Sequence, residues 1–396
     1  MESELQVREK WEHVPLGSIC NITSSKRIFA KEYTSSGIPF YRGKEIIEKH
    51  KGNHVSTELF ISPERFYEIQ KKFGAPQIGD ILLTSVGTLG VSWLVDETDF
   101  YFKDGNLTWL RSGDRVLSKY LYLWLNSPDA QRQIDAKCIG STQKALTIET
   151  LNKFQIALPP LSVQKQICSV LYPILDKIEL NQKINENLER QAQAIFQQMF
   201  PYTVTDALPD GWRVGTVGEI VELHDAKRIP LSGTVREQMK SKTYPYYGAA
   251  SLMDYVDDYI FDGKYLLLGE DGTVVDAAGY PVLQYVWGKF WVNNHAHILT
   301  GKQGFNIESL YLLFRQTPVK SIVTGAVQPK ISQANLRSIQ VTIPPEDRIL
   351  SFNGQIEPLF SQIRLNEEQN TILNTLKNTL LPKLMAGEIE VSDIQL

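Results

Sequence analysis

The stretch Ile-Glu-Leu-Asn-Gln-Lys-Ile-Asn-Glu-Asn-Leu at Ile178 returns as Ile-Arg-Leu-Asn-Glu-Glu-Gln-Asn-Thr-Ile-Leu at Ile363, 185 residues later. The same shift carries Gly140 onto Gly325, Gln143 onto Gln328, Leu151 onto Leu336 and Pro173 onto Pro358. It also carries Leu158-Pro159-Pro160 onto Ile343-Pro344-Pro345. Further upstream the shift becomes 201, pairing Trp11 with Trp212, Gly17 with Gly218 and Lys26-Arg27-Ile28 with Lys227-Arg228-Ile229. A repeat this long is a duplicated domain rather than a solenoid unit. One plan is therefore written twice, with a shorter middle in the second copy.

Each copy ends in a heptad seam. In the first it runs Ile167, Leu171, Ile174, Ile178, Asn181, Asn185, Leu188, Ala192, Ile195, Met199; in the second, Phe352, Ile356, Leu359, Ile363, Asn366, Asn370, Leu373, Lys377, Leu380, Leu384. Steps alternating between four and three residues are those of a coiled coil. Neither helix can bury its stripe alone, and the simplest partner is the other copy, packed antiparallel. That arrangement brings Asn181 and Asn185 against Asn366 and Asn370. A buried Asn costs stability but fixes register, because a slipped pairing leaves its amide unpaired. Pro173 and Pro358 predict a break or kink early in each helix, and Pro382 a bend or end near the close of the second. The rod from Ile174 to Met199 would span roughly 40 Å at about 1.5 Å per residue.

The globular stretches mix short apolar strands leading into Gly-rich turns, such as Gly79–Gly90 and Gly263–Gly279, with helices at Lys119–Ser127 and Glu308–Gln316. The expected fold class is α+β: two similar mixed domains separated by a pair of long antiparallel coiled-coil helices, as a pseudo-twofold internal repeat. The expected boundaries are 1–158 and 201–342 for the two domains, 159–200 for the first spacer helix, and 343–396 for the second with its tail.

A chain of 396 residues with 42% hydrophobic and 22% charged residues fits an ordinary globular protein of two or three domains. No apolar run reaches the ~20 residues of a membrane helix, and the charged start is no signal peptide. Three cysteines, Cys20, Cys138 and Cys168, form no C-x-x-C and point to a reducing compartment, the cytoplasm. The net charge of −4 disfavours a free-standing nucleic-acid binder. Its distribution softens this: residues 343–396 carry 4 basic against 8 acidic side chains, whereas 1–158 carry 20 against 19. A DNA-facing surface must then be a local patch or be completed by a partner.

Catalytic signatures are missing. There is no G-x-x-x-x-G-K-[ST] loop and no Asn- or Asp-Pro-Pro-aromatic tetrapeptide; Gly269-Glu270-Asp271-Gly272 pairs two carboxylates in a common type of turn. His295 and His297 alternate on a strand, but two histidines alone do not complete a metal site, and none is expected.

The segment Gly140–Ile167, the long helix after it and the ending Leu380–Val391 resemble the specificity subunit of type I restriction-modification systems. Gly79–Gly90 and Val286–Leu299 resemble recurring segments of that family's target-recognition domains, so the resemblance covers nearly the whole chain. It implies a non-catalytic subunit whose two domains each read one half of a split, asymmetric double-stranded DNA target. The paired helices would set the gap and dock two methyltransferase subunits, which restriction and translocase subunits join. S-adenosylmethionine, ATP and Mg would belong to those partners, with no cofactor on this chain. A rod of about 40 Å suits half-sites about one helical turn, ~34–36 Å, apart. A methylation-only system, or a duplicated protein-binding scaffold without DNA readout, are the alternatives.

Phosphate contacts call for Lys, Arg, hydroxyls and Gly-turn amides; base readout calls for bidentate groups. The duplicated Lys26-Arg27 and Lys227-Arg228 are the leading candidates. Arg42 and Lys44 follow a proline equivalent to the one before Tyr247, and Arg42 gives way to a small residue in the second copy. Thr84 and Ser85 beside Gly87 could donate to phosphate. Gln143, Lys144, Gln328 and Lys330 lie in matching loops, and Asn293, Asn294, His295 and His297 are read as a DNA-facing strand.

Overall fold

A computed structural model describes residues 11–53, 55, 57–138, 145–325 and 327–394. The chain divides into two units, Met1–Gln182 with Glu367–Leu396, and Lys183–Asn366. Both follow one plan.

In the first unit the central sheet is antiparallel, in the order Cys20–Thr23, Leu107–Ser112, Ile81–Thr84, Ser92–Leu94. The second unit repeats that order with Val221–Leu223, Ala296–Gly301, Tyr265–Gly269 and Leu283–Val286. The middle strands, Ile81–Thr84 and Tyr265–Gly269, are apolar runs because nearly every side chain is buried, as in sheets covered on both faces. Helix Ser118–Leu125 packs its Tyr120, Leu121 and Trp124 into the first core, and Ile307–Phe314 packs Leu310, Leu312 and Phe314 into the second.

A second small sheet in each unit is built on a parallel pair. Phe40 and Tyr41 lie opposite Tyr101 and Phe102, and Tyr246 and Tyr247 opposite Trp291 and Val292. This register makes Tyr41 the counterpart of Tyr247, and Arg42 that of Gly248. The middles then diverge. The first unit inserts helices Gly43–His50 and Pro63–Phe73; the second turns into strand Leu252–Val256.

The seams form two long helices, Leu161–Met199 and Glu346–Met385, each contributing to both units. In the first unit Ile167 and Leu171 share a core with Leu381 and Leu384, while Asn181 Nδ2 donates to Asn370 Oδ1 at 2.9 Å. In the second, Asn366 Nδ2 donates to Asn185 Oδ1 at 2.7 Å and the rings of Phe196 and Phe352 lie 5.5 Å apart. In each case one helix ascends in number as the other descends, so the pairing is antiparallel. All four asparagines are buried, Asn181 completely. Lys377, the charged exception in the seam, gives its ammonium to Asn374 Oδ1 at 3.1 Å, and burial pushes its pKa down.

The expected breaks at proline do not occur. Both helices run uninterrupted through Pro173, Pro358 and Pro382. Pro173 and Pro358 lie on exposed faces, where the carbonyl freed by each ring can bond water, and packing on the opposite face holds the helix together. The helices are therefore longer than the sequence suggested, about 60 Å at 1.5 Å per residue.

Candidate nucleic-acid interface

Strand Tyr265–Gly269 of the second unit runs into a turn at Glu270–Gly272. Three backbone hydrogen bonds fix that turn: Glu270 N to His295 O at 2.8 Å, Gly272 N to Pro329 O at 2.9 Å, and Ile331 N to Glu270 O at 2.8 Å. They join the turn before strand Ala296–Gly301 and the loop containing Gln328 and Lys330 to one hub. Gly272 has φ +83° with open space where a Cβ would stand, a conformation only glycine takes without cost.

Ions fill the underside of this hub. Arg228 Nη1 reaches Glu270 Oε2 at 2.5 Å and the Ala296 carbonyl at 2.8 Å, and its other nitrogen lies 3.6 Å from Asp225. Lys330 Nζ is 3.3 Å from Glu270. Asp225 accepts from Gln333 at 2.7 Å and pairs with His297 Nδ1 at 2.6 Å, while His297 Nε2 faces the Ile331 carbonyl at 2.8 Å. Burial pushes the Asp225 carboxyl up, but His297, the Ile298 amide and Arg228 together hold it below the usual range. Glu270 follows the same pattern: burial raises it, and Arg228, His297 and Lys330 bring it lower. On the outer side, His295 Nδ1 hydrogen-bonds Asp271 Oδ1.

The first unit builds the same hub from different side chains. Ser85 N donates to Asn106 O at 2.8 Å, Leu146 N donates to Ser85 O at 2.9 Å, and Val86 bridges Ala145. Gly87, φ +80°, stands where Gly272 does. Inside are hydroxyls: Ser85 Oγ and Thr108 Oγ1 are 2.5 Å apart, and Thr84 Oγ1 accepts from Val91 N at 2.9 Å. Arg27 ties the adjacent loop to Asp104 at 2.7 Å, and Lys26 lies over the Phe73 ring at 5.0 Å.

Burial withdraws four of the sequence candidates from direct contact. Thr84, Ser85, Asn293 and His297 are 0%, 4%, 4% and 0% exposed. Thr84 and Ser85 close the turn from within, Asn293 accepts from His295 N at 2.8 Å, and His297 belongs to the ion cluster. Arg228 is also mostly enclosed, at 14%, whereas its counterpart Arg27 is 65% exposed. Lys26, Lys44, Lys227, Asn294, Gln328 and Lys330 are exposed, and His295 is half-exposed. Arg42 stands at the N-cap of helix Gly43–His50 and pairs with Glu45 at 3.0 Å, and Lys44 lies 3.8 Å from Glu48. Tyr247 is half-buried against Phe290, 5.9 Å between rings. Gln143 and Lys144 lie outside the described residues.

The two histidines do not share a strand face as expected, because His295 belongs to the turn and only His297 to the strand. Each finds a carboxylate that sequence reasoning did not supply. Asp225, Glu270 and His297 bring metal-type ligand atoms within 4.8 Å of one another. Arg228 and Lys330 already balance those two carboxylates, so the cluster is an ion network held by the protein's own cations. Asp225, Glu270, Asp271 and Asn106 were missed. The signal was available: the 185-residue shift that aligns the loops also lays Glu270-Asp271-Gly272 on Ser85-Val86-Gly87. Cys20 and Cys168 are free and buried, their thiols pushed up to about 12 and about 11 by burial. Among the described residues no helix is long and apolar enough to cross a membrane.

A family model described as the type I restriction modification DNA specificity domain matches twice, over residues 8–190 and 209–380. The MjaIX type I restriction enzyme specificity subunit of Methanocaldococcus jannaschii is 26% identical, over 92% of this chain and 89% of its own length. The HindI specificity subunit of Haemophilus influenzae is 32% identical, over 69% of this chain and 78% of its own. The S subunit of a type I restriction-modification system from M. genitalium has the same fold, with a TM-score of 0.58 at 16% identity over 94% of this chain and 96% of that one. Two matched copies spanning most of the sequence make this chain a member of the type I restriction-modification DNA specificity family.

Proposed function

We propose that each unit reads one half of a split, asymmetric DNA target through the edge gathered around its turn, and that the paired helices set the spacing. The observation that carries this is the duplicated hub. Two matching backbone bonds and a matching bridge gather three loops in both units, yet the side chains they present differ. One scaffold with two chemistries suits two different half-sites rather than a palindrome. Exposed Lys26, Arg27, Lys44, Lys227 and Lys330 supply phosphate contacts, which position the protein without reading sequence. The reading domains fall within 1–158 and 201–342, with the helices of 159–200 and 343–396 as spacers. The four central asparagines hold the helices in one register, and therefore the half-sites at one separation.

The chain itself performs no chemistry in this reading. It directs methyltransferase subunits, two per complex and docked on the helices, to adenines in the target, and restriction subunits join that core. S-adenosylmethionine, ATP and Mg act on those partners, in the reducing cytoplasm that the cysteine usage suggests. The test is electrophoretic shift of the full chain, with and without a methyltransferase subunit, on a panel of duplexes. Selective retention of duplexes sharing two short motifs at fixed spacing is expected. Equal retention of every duplex, or binding of the methyltransferase with no DNA selectivity at all, would contradict it and favour a protein scaffold.

A further inference from the structure

Sheet register identifies one position that both units hold out at the hub. Thr84 pairs with Leu107 and Gly269 with Ala296, so the residues just before these strands, Asn106 and His295, are counterparts. Each gives its carbonyl to the turn, at 2.8 Å to Ser85 N and Glu270 N respectively. That shared bond fixes the backbone from which both side chains project. Asn106 is exposed, and among the described residues its amide has no hydrogen-bond partner. The His295 side chain is 43% exposed and has one ring nitrogen engaged, by Asp271, whose counterpart is the exposed Val86.

We infer that Asn106 and His295 are the same base-reading position in the two units, and that Asp271 positions the His295 ring. This rests on the DNA-reading function proposed above. A free carboxamide carries a donor and an acceptor side by side, the pattern that meets adenine N7 and N6 in the major groove. The imidazole is different. In the neutral ring with Nδ1–H donated to the Asp271 carboxylate, Nε2 is left as an acceptor. It suits one exocyclic amine, that of adenine or cytosine. The first unit has no such pair: Asn106 stands where the ring would be, and Val86 carries no acceptor. The position therefore reads two groups in one half-site and one in the other. Neighbouring groups support a DNA-facing edge: exposed Arg27, held by Asp104 two residues before Asn106, and exposed Asn294, Gln328 and Lys330 in the loops joined at the His295 hub.

The experiment measures competition binding of the full chain in its methyltransferase complex, on the methylated target with each base pair replaced in turn. Asn106→Ala is expected to lose about 5–150-fold of discrimination at one base pair of one half-site, the range for a bidentate contact. His295→Ala should lose less, at one base pair of the other half-site. Asp271→Asn keeps an acceptor for Nδ1–H and should retain discrimination. Asp271→Val, which installs the residue of the first unit, should lose it while leaving the thermal midpoint and the other half-site unchanged. Unaltered discrimination in both Ala variants would overturn the inference, as would Asp271→Val and Asp271→Asn behaving alike. If the wild-type complex distinguishes no base pair, the reading function itself fails, and the two failures are separable.

Discussion

The two hubs share their backbone and almost nothing else. In the first unit a neutral pair, Ser85 and Thr108, lies beneath the turn; in the second, Glu270 sits there with Arg228, Lys330, Asp225 and His297. The joints between domain and long helix differ in the same way. Lys119 of the first unit lies over the Tyr172 ring at 4.4 Å. At the matching positions of the second unit, fully buried Glu308 takes Lys264 at 2.6 Å and Arg364 at 3.1 Å, and Arg364 also holds Glu357 at 2.8 Å. Backbone hydrogen bonds carry the plan through duplication because they do not depend on side-chain identity. The interior beneath them is free to change from hydroxyls to ions, provided each buried charge meets an opposite one. That freedom is what a pair of readers with different targets needs.

The sharpest way to break this comparison is to remove the duplicated arginine from each unit. Arg228→Ala leaves Glu270 and Asp225 buried and under-compensated, which should cost about 3–5 kcal/mol. Arg27→Ala, at an exposed pair, should cost only about 0–1 kcal/mol. Hydrogen exchange on strands Ala296–Gly301 and Leu107–Ser112 would report each unit by itself. Similar losses in both would show that the second network is no more structural than a surface pair.

An intermediate effect is expected in the helix seam. Asn370→Ala removes one of the two acceptors of the buried Asn181 amide, Gln369 Oε1 at 2.9 Å being the other, a loss of about 0.5–1.5 kcal/mol. Leu at both positions should restore stability but loosen the register. Urea unfolding measures the first, and cysteine cross-linking across the seam the second. A single, unchanged cross-linking register in the double variant would remove the asparagines' role.

The smallest effect appears only in acid. Asp225, Glu270 and Glu357 of the second unit all titrate below their usual range. Folding therefore favours their charged forms, and their contribution is complete above about pH 4–5. It fades as the pH falls through the lower folded values. Exchange protection of Ala296–Gly301 should decline below about pH 4 before that of Leu107–Ser112. The reverse order would contradict the ion network's stabilising role.

Much of the fold could be read from the residues. The heptad steps and the four asparagines gave the antiparallel pairing, because a seam with polar centres closes in few ways. The prolines misled, since sequence does not show that Pro173 and Pro358 face outward. The site was less legible. Lys227-Arg228, Asn293–His297 and Gln328–Lys330 stood out separately, but nothing local says that all three meet at Glu270. Asp225, Glu270 and His297 are distant in sequence and converge only through the sheet order. Hydroxyls beside a glycine looked like phosphate donors at Thr84 and Ser85, where the sheet had enclosed them.

The division of labour between the two hubs is tested most directly by sequencing methylated DNA. Cells would express the methyltransferase complex with residues 212–340 replaced by the corresponding domain of another family member. One half of the methylated motif should change, with the other half and the spacing between them kept. A change in both halves, or a motif identical to that of the unaltered chain, would contradict independent reading by the two units.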